Sequence, residues 1–222
     1  MVQIGPRKIM IRKRPRTGRP AASEVASRMD RLLDIATDVF LEQGYEGTNV
    51  TEITRRAGAS KTTFYSRYPT KADLFVAVMT RKSSKLRETF AETLSFKEPL
   101  GKTLEDFGIR YLRITSHPET QALYKVFAAA SLKFPQLGNQ LWDSGPKQSV
   151  ILLRDYLVKH PAFKGAQPEY AAETFCALCC GLSLLKAQIR KDGRMSGKVI
   201  LFRVKEAVRI FLSAYSSPSP VR

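Results

Sequence analysis

Cysteine is scarce in this 222-residue sequence, and its three copies, Cys176, Cys179 and Cys180, crowd into one stretch. Thiols so placed do not make the disulfide framework of a small secreted domain, and a cytoplasmic protein is expected. Long apolar runs are missing too. The longest, Phe175 to Leu185, has eleven residues, too few to span a bilayer as a helix, so no membrane association is expected. The basic N-terminus is followed by no apolar stretch and cleavage site, so no secretory signal is expected. Histidine occurs only at His117 and His160, and no cofactor is expected. No Gly-rich phosphate loop after a strand, no His-Glu-x-x-His, no Gly-x-Ser-x-Gly and no paired-carboxylate cleft is legible, so an enzyme is not expected. Alternating β-branched segments and internal repeats are also absent.

Acidic residues are missing from particular places. Residues 1–22 hold Arg7, Lys8, Arg12, Lys13, Arg14, Arg16 and Arg19 and no acid. The whole chain carries a formal charge of +17, which implies an anionic partner such as nucleic acid or an acidic surface. Residues 23–95 are nearly balanced, with 11 bases and 10 acids, while residues 96–222 hold 19 and 10. Inside the balanced segment, residues 53–72 contain Arg55, Arg56, Lys61, Arg67 and Lys71 and again no acid. By contrast Asp30, Asp34, Asp38 and Glu42 recur at i,i+4 and make one acidic helix stripe. Phosphates repel such a stripe, so it is expected to face away from DNA.

What is present is helical patterning throughout, and the predicted fold class is all-α. A three-helix headpiece is expected, joined by a long helix to a larger helical domain. Residues 1–22, rich in Pro, Arg and Lys, read as a disordered arm. Met29, Leu32, Leu33, Ala36, Val39 and Phe40 mark one face of a first helix, with Ser23 as N-cap and Gly44 as stop. A second runs from Val50 to Ala57, with Thr48 and Asn49 as caps and Gly58 behind it. Ser60 caps a third, which reaches about Tyr68 and is closed by Pro69. Thr70 and Asp73 resemble a capping box that opens a long helix to about Leu94. Later stripes are Phe107, Tyr111 and Ile114, then Leu123, Tyr124 and Phe127, ended by Phe134-Pro135. Helices are further expected across Gln148–His160, Glu169–Arg190 and Ser196–Tyr215, the last two separated by Lys191-Asp192-Gly193. The domain division is 1–22, 23–75 and 76–222.

Three helices with a tight Gly58-Ala59-Ser60 turn before the third describe a helix-turn-helix, at about residues 51–70. Such a motif needs apolar residues under its positioning helix, and Val50, Ile53 and Ala57 supply them. It also needs a recognition helix that is small or polar outside, so that it enters the major groove. Lys61, Thr62, Thr63, Tyr65, Ser66 and Arg67 fit, while Phe64 and Tyr68 can anchor the helix inward.

The stretch Gly44-Tyr45-Glu46-Gly47-Thr48, then Thr51-Glu52-Ile53, then Ala57 to Lys71 resembles the TetR family headpiece over roughly residues 28–75. That resemblance implies a homodimeric repressor on a pseudo-palindromic operator in double-stranded DNA, released by a small-molecule effector bound in the C-terminal domain. It implies DNA contacts from Lys61, Thr63, Tyr65 and Tyr68, with Thr51 and Lys71 holding the phosphate backbone; Ser60, Thr62 and Arg67 complete the set. Thr62 departs from the family pattern, which commonly has Gly or another small residue there, and bears on operator choice. In the arm, Arg14-Pro15-Arg16-Thr17-Gly18-Arg19-Pro20 resembles minor-groove arms, with Arg16 and Arg19 as its contacts. A solvated tail that adds only non-specific attraction fits it equally. A sequence-indifferent, nucleoid-type binder is the rival class.

Ala171, Phe175, Leu178, Leu182, Leu185 and Ile189 alternate spacings of four and three, the seam of a helix packed on others. Val204, Val208, Phe211 and Tyr215 offer a similar seam, and the resemblance implies that the last two helices pair the subunits. Phe107, Tyr111, Tyr124, Phe127, Trp142, Tyr156 and Phe175 are candidate walls of a ligand pocket, with Gln121, His117 and Arg113 as polar contacts. An apolar or aromatic ligand is preferred, although the positive charge of this half also suits an anion. The three cysteines fit buried packing best; a redox switch needs an exposed thiolate and a metal site needs further ligands.

Overall fold

The computed structural model describes residues 22–189 and 195–216, and no strand occurs among them. In chain order the helices are α1 (Ala22–Gly47), α2 (Val50–Ala57), α3 (Lys61–Arg67), α4 (Lys71–Ala91) and α5 (Leu100–Thr115). They continue with α6 (Pro118–Lys133), α7 (Pro135–Ser144), α8 (Pro146–Lys159), α9 (Pro168–Ile189) and α10 (Gly197–Tyr215). The all-α class is as predicted. The arm with Arg16 and Arg19, and the spacer Lys191-Asp192-Gly193, lie outside the described residues.

Local chemistry accounts for the headpiece boundaries. The Thr51 amide donates to Asn49 Oδ1 at 2.8 Å, and the Thr63 amide to Ser60 Oγ at 3.1 Å. Thr70 and Asp73 form a reciprocal box. The Thr70 amide donates to Asp73 Oδ2 at 2.9 Å, and the Asp73 amide to Thr70 Oγ1 at 3.1 Å. Each such cap contributes about 1 kcal/mol. Gly44 interrupts α1 at φ 69°, the stop its position predicts. The other end differs: α1 is already under way at Ala22, so Ser23 lies within the helix instead of capping it.

Proline starts helices in the second half. Pro118, Pro135 and Pro146 stand in the first turns of α6, α7 and α8, where an amide would be unpaired anyway and the fixed φ suits a helix. Phe134-Pro135, read from sequence as an end, is therefore also a beginning, and α7 is a helix that apolar periodicity did not separate.

Two apolar cores result among the described residues. The first gathers Leu32, Ala36 and Phe40 of α1, Ile53, Phe64, and Leu74, Phe75 and Val78 of α4; Ala130, Leu137 and Leu141 from α6 and α7 close it. The second joins Phe90 of α4 to Leu104, Phe107, Leu153, Phe175 and Phe211. α4 thus has one end in each core and couples them.

α9 breaks at Gly181 (φ 45°, ψ −148°), a backbone conformation open to glycine. The expected seam divides there. Ala171 and Phe175 are fully buried, whereas Leu182 is 78% exposed and Leu185 and Ile189 also face outward. Val204, Val208 and Phe211 of the second seam are buried in the chain's own core. Tyr215 packs beside Phe211 and Phe163. That stripe therefore packs within the fold of the chain itself.

Candidate nucleic-acid interface

Between α2 and α3 the chain turns within three residues. Gly58 takes φ 64°, where a side chain costs about 1–2 kcal/mol. Its amide donates to Arg55 O at 3.3 Å, and that of Ala59 to Thr54 O at 3.0 Å. α3 is pinned from below by Phe64, fully buried, and by Tyr68, whose ring lies 5.8 Å from that of Phe64. Truncating a buried phenylalanine of this kind costs about 3–5 kcal/mol. With that face inward, Lys61, Thr62, Thr63, Tyr65, Ser66 and Arg67 are all exposed. Tyr65 is 48% exposed, its ring edge-on to Phe64 at 5.2 Å. Hydroxyls and a phenol flanked by two cations match the donors and acceptors of base edges and phosphates.

Charge on this surface is more sparing than composition suggests. Glu52 pairs with Arg55 (Oε1 to Nη2, 2.8 Å) and Arg56 (Oε1 to Nε, 2.8 Å), and Arg56 also reaches Glu42 at 3.0 Å. Hydrogen bonds from both guanidinium groups hold the Glu52 carboxyl down at about 2. Lys71 Nζ donates to the carbonyls of Glu46 (3.0 Å) and Thr48 (3.2 Å) and sits 4.9 Å from the Tyr45 ring centroid. Burial lowers its pKa. Of the five cations in the acid-free window, only Lys61 and Arg67 remain unpaired among the described residues. The acidic stripe is partly neutralised from the protein side: Arg81 of α4 reaches Asp30 and Asp34, and Arg56 reaches Glu42.

Beyond the headpiece, α5 to α9 line a cavity of about 550 Å³, walled by Tyr111, Tyr124, Phe127, Trp142, Cys176 and Cys180 among others. Trp142, 49% exposed, stands at its rim. Burial raises the phenol of Tyr111 and pushes that of Tyr124 up to about 12, so both stay neutral donors. A second cavity, about 440 Å³, lies on the other side of Tyr124 between α4, α5 and α6.

Residues 32–78 match the family model for bacterial regulatory proteins of the tetR family, and residues 102–217 match the AefR-like transcriptional repressor C-terminal domain. The chain belongs to the TetR family. The HTH-type transcriptional activator FasR of Mycolicibacterium smegmatis is 31% identical over 101 residues, 43% of this chain and 46% of that protein. The chain spans less than half the length of the curated relatives it matches. Among solved structures, a TetR-family regulator from Mesorhizobium loti shares the fold, with a TM-score of 0.77 at 22% identity over 86% of this chain and 98% of that one. The flavonoid-responsive regulator FrrA aligns with a TM-score of 0.72 at 26% identity, over 86% and 98%.

In this TetR-family headpiece the expected DNA-facing residues Thr51, Lys61, Thr62, Thr63, Tyr65 and Arg67 are exposed. Ser60 is also exposed, with its hydroxyl engaged as the α3 cap and 2.8 Å from Thr63 Oγ1. Two candidates are drawn elsewhere. Tyr68 is buried as an anchor, and Lys71 holds the protein's own main chain.

Four of the seven candidate pocket aromatics, Tyr111, Tyr124, Phe127 and Trp142, line the larger cavity. Phe107 and Phe175 are instead fully buried in the second core, and Tyr156 donates to Ser95 O at 2.8 Å and packs on Phe96 and His160. Sequence reading missed Thr115, Cys176 and Cys180 as walls; the i,i+4 spacing of the two thiols on α9 is the signal that they share a face. Burial pushes the Cys176 thiol up to about 12 and raises those of Cys179 and Cys180. No metal-ligand cluster occurs among the described residues. The Gln121 amide donates to Thr115 O while its Oε1 is buried without a partner, and Arg113 and His117 line the second cavity. No helix among the described residues is long and apolar enough to cross a membrane.

Proposed function

We propose that this chain is a sequence-specific transcription regulator: a cytoplasmic homodimeric repressor, released from a pseudo-palindromic operator by a small molecule. The observation that carries the reading is the outer face of α3, where Lys61, Thr62, Thr63, Tyr65 and Arg67 are exposed above the buried Phe64. A binder of any duplex rests on phosphate charge, whereas this face holds more hydroxyls than unpaired cations. That favours reading of base edges over nucleoid-type binding.

On this reading residues 23–75 bind DNA, residues 76–222 sense the ligand and pair the subunits, and residues 1–22 supply Arg16 and Arg19 as further contacts. Pairing has support in the exposed apolar residues of the last two helices, Leu182, Leu185 and Ile189 of α9 with Val199, Phe202 and Ile210 of α10. A two-fold dimer engages half-sites about one helical turn apart. Repression has support in the C-terminal family description, and ligand response in the cavity beside Tyr124.

The test is selection from a random duplex pool. One pseudo-palindrome is expected to enrich, bound roughly 10³-fold or more tightly than random duplex. Equal binding of all sequences would assign the chain to the nucleoid-type class. On the selected duplex, Lys61→Ala and Tyr65→Ala are each expected to cost about 1–3 kcal/mol. Unchanged affinity in both removes the α3 assignment.

A further inference from the structure

Tyr124 separates two largely apolar cavities that differ in charge, with Glu173 as the one charged residue on the first and cations gathered on the second. On one side lies the 550 Å³ space, whose wall includes Phe127, Trp142, Val150 and Leu184. On the other, the 440 Å³ space is bordered by Lys82, Lys85, Arg110, Arg113 and His117 against a single acid, Glu119. A narrow void lies between them, sharing Tyr111 and Thr115 with the apolar side, Ser83 and Ile114 with the basic side, and Tyr124 with both. Glu119 pairs with Lys82. Lys85, Arg110 and Arg113 take part in no ion pair among the described residues.

Resting on the ligand-responsive reading above, we propose that the effector is an amphipathic anion: its apolar body fills the cavity at Trp142, and its acidic head lies past Tyr124 among Lys82, Arg110 and Arg113. A purely apolar ligand draws nothing from the gathered cations, most of which reach water, and a small inorganic anion leaves the apolar walls wet. An acid on a hydrocarbon or aryl body satisfies both. The neutral hydroxyls of Tyr111 and Tyr124 lie where body and head join.

The same geometry couples binding to DNA. Lys82 and Lys85 lie on α4, whose first turns belong to the headpiece core through Leu74, Phe75 and Val78. An anionic head replaces Glu119 as the partner of Lys82, which loosens the tie between α4 and α6. The ligand thus favours a second position of α4, as differential binding to two states requires.

The experiment uses the full chain and the emission of Trp142, its only tryptophan. Decanoate, octanoate, decanol and decyltrimethylammonium are titrated in turn. Decanoate is expected to bind about tenfold or more tightly than decanol, with the ammonium weakest. Octanoate is expected to bind more weakly than decanoate by about fourfold per methylene removed. Joint replacement Arg110→Ala and Arg113→Ala, in a variant shown to be folded by its thermal melt, is expected to weaken decanoate about 10- to 100-fold. Decanoate is also expected to release the duplex selected above from wild type at concentrations that leave it on the variant. Equal affinity for decanoate and decanol, binding by neither, or an unaffected double variant overturns the anion site. Release by decanol alone overturns it too, yet leaves the ligand-responsive reading standing. Decanoate binding with the expected preference but without release leaves an anion site and overturns its role as the effector site.

Discussion

The ammonium of Lys71 donates to the main-chain carbonyl of Glu46 at 3.0 Å, so the first residue of α4 closes the end of α1. The same nitrogen reaches Thr48 O at 3.2 Å. Carbonyls at and just past the end of α1 lack helical donors, and a cation beside them takes the donors' place.

Lys71→Met is therefore expected to act on stability. The loss is about 1.5–3 kcal/mol, the range for hydrogen bonds involving a charged group, seen in urea unfolding. The slope of log affinity against log salt on the selected duplex should not move. A slope reduced by about 0.9 with stability unchanged would make Lys71 a phosphate contact.

Glu52 engages both Arg55 and Arg56 within the headpiece. Glu52→Gln removes the ion pair of Arg55, whereas Arg56 keeps Glu42. Affinity for random duplex is expected to rise, with the salt slope steeper by about 0.9 for each new phosphate contact. The pH dependence follows from the depressed carboxyl. Its stabilising contribution is fully present above the ordinary value of 4.5 and lost as pH falls toward about 2. The stability difference between wild type and variant should hold at neutral pH and close only across that acid window.

The thiols are expected to be inert. Burial pushes Cys176 up to about 12 and raises Cys179 and Cys180 with it, so few thiolates exist at about pH 8. A disulfide reagent should modify the folded chain orders of magnitude more slowly than the unfolded one. One thiol reacting rapidly in the folded protein would restore the redox alternative.

Pairing is expected to depend on the outward residues of α9 and α10. Leu182→Asp combined with Phe202→Asp alters side chains 78% and 70% exposed in the single chain, so folding should survive. Sedimentation should show a monomer, and affinity for the two half-sites should collapse toward that of one. A dimer that persists moves the interface elsewhere.

Much of the headpiece was legible in the sequence because its determinants are local. Asn49, Ser60 and Thr70 each bond within three residues of themselves, and Gly58 needs only its own backbone freedom. Short-range hydrogen bonds leave a fixed spacing that a reader of the chain can see. α7 was not legible, since a proline reads as a stop until its neighbours show that it also starts a helix. Nor did periodicity reveal the break at Gly181, where one apolar stripe serves a core before it and the surface after it.

By itself, then, the sequence determined an all-α chain, a helix-turn-helix with its caps and turn, and a reading helix with Phe64 beneath and Tyr65 above. Tertiary structure decided which charges stay free and which aromatics meet. Lys71 finds Glu46 across 25 positions and Arg81 finds Asp34 across 47, so no local spacing records either pair. Tyr124 likewise stands between an apolar and a basic cavity only because α4, α5, α6 and α9 converge on it. Contacts between distant segments depend on how whole helices pack, and that is set by the fold as a unit.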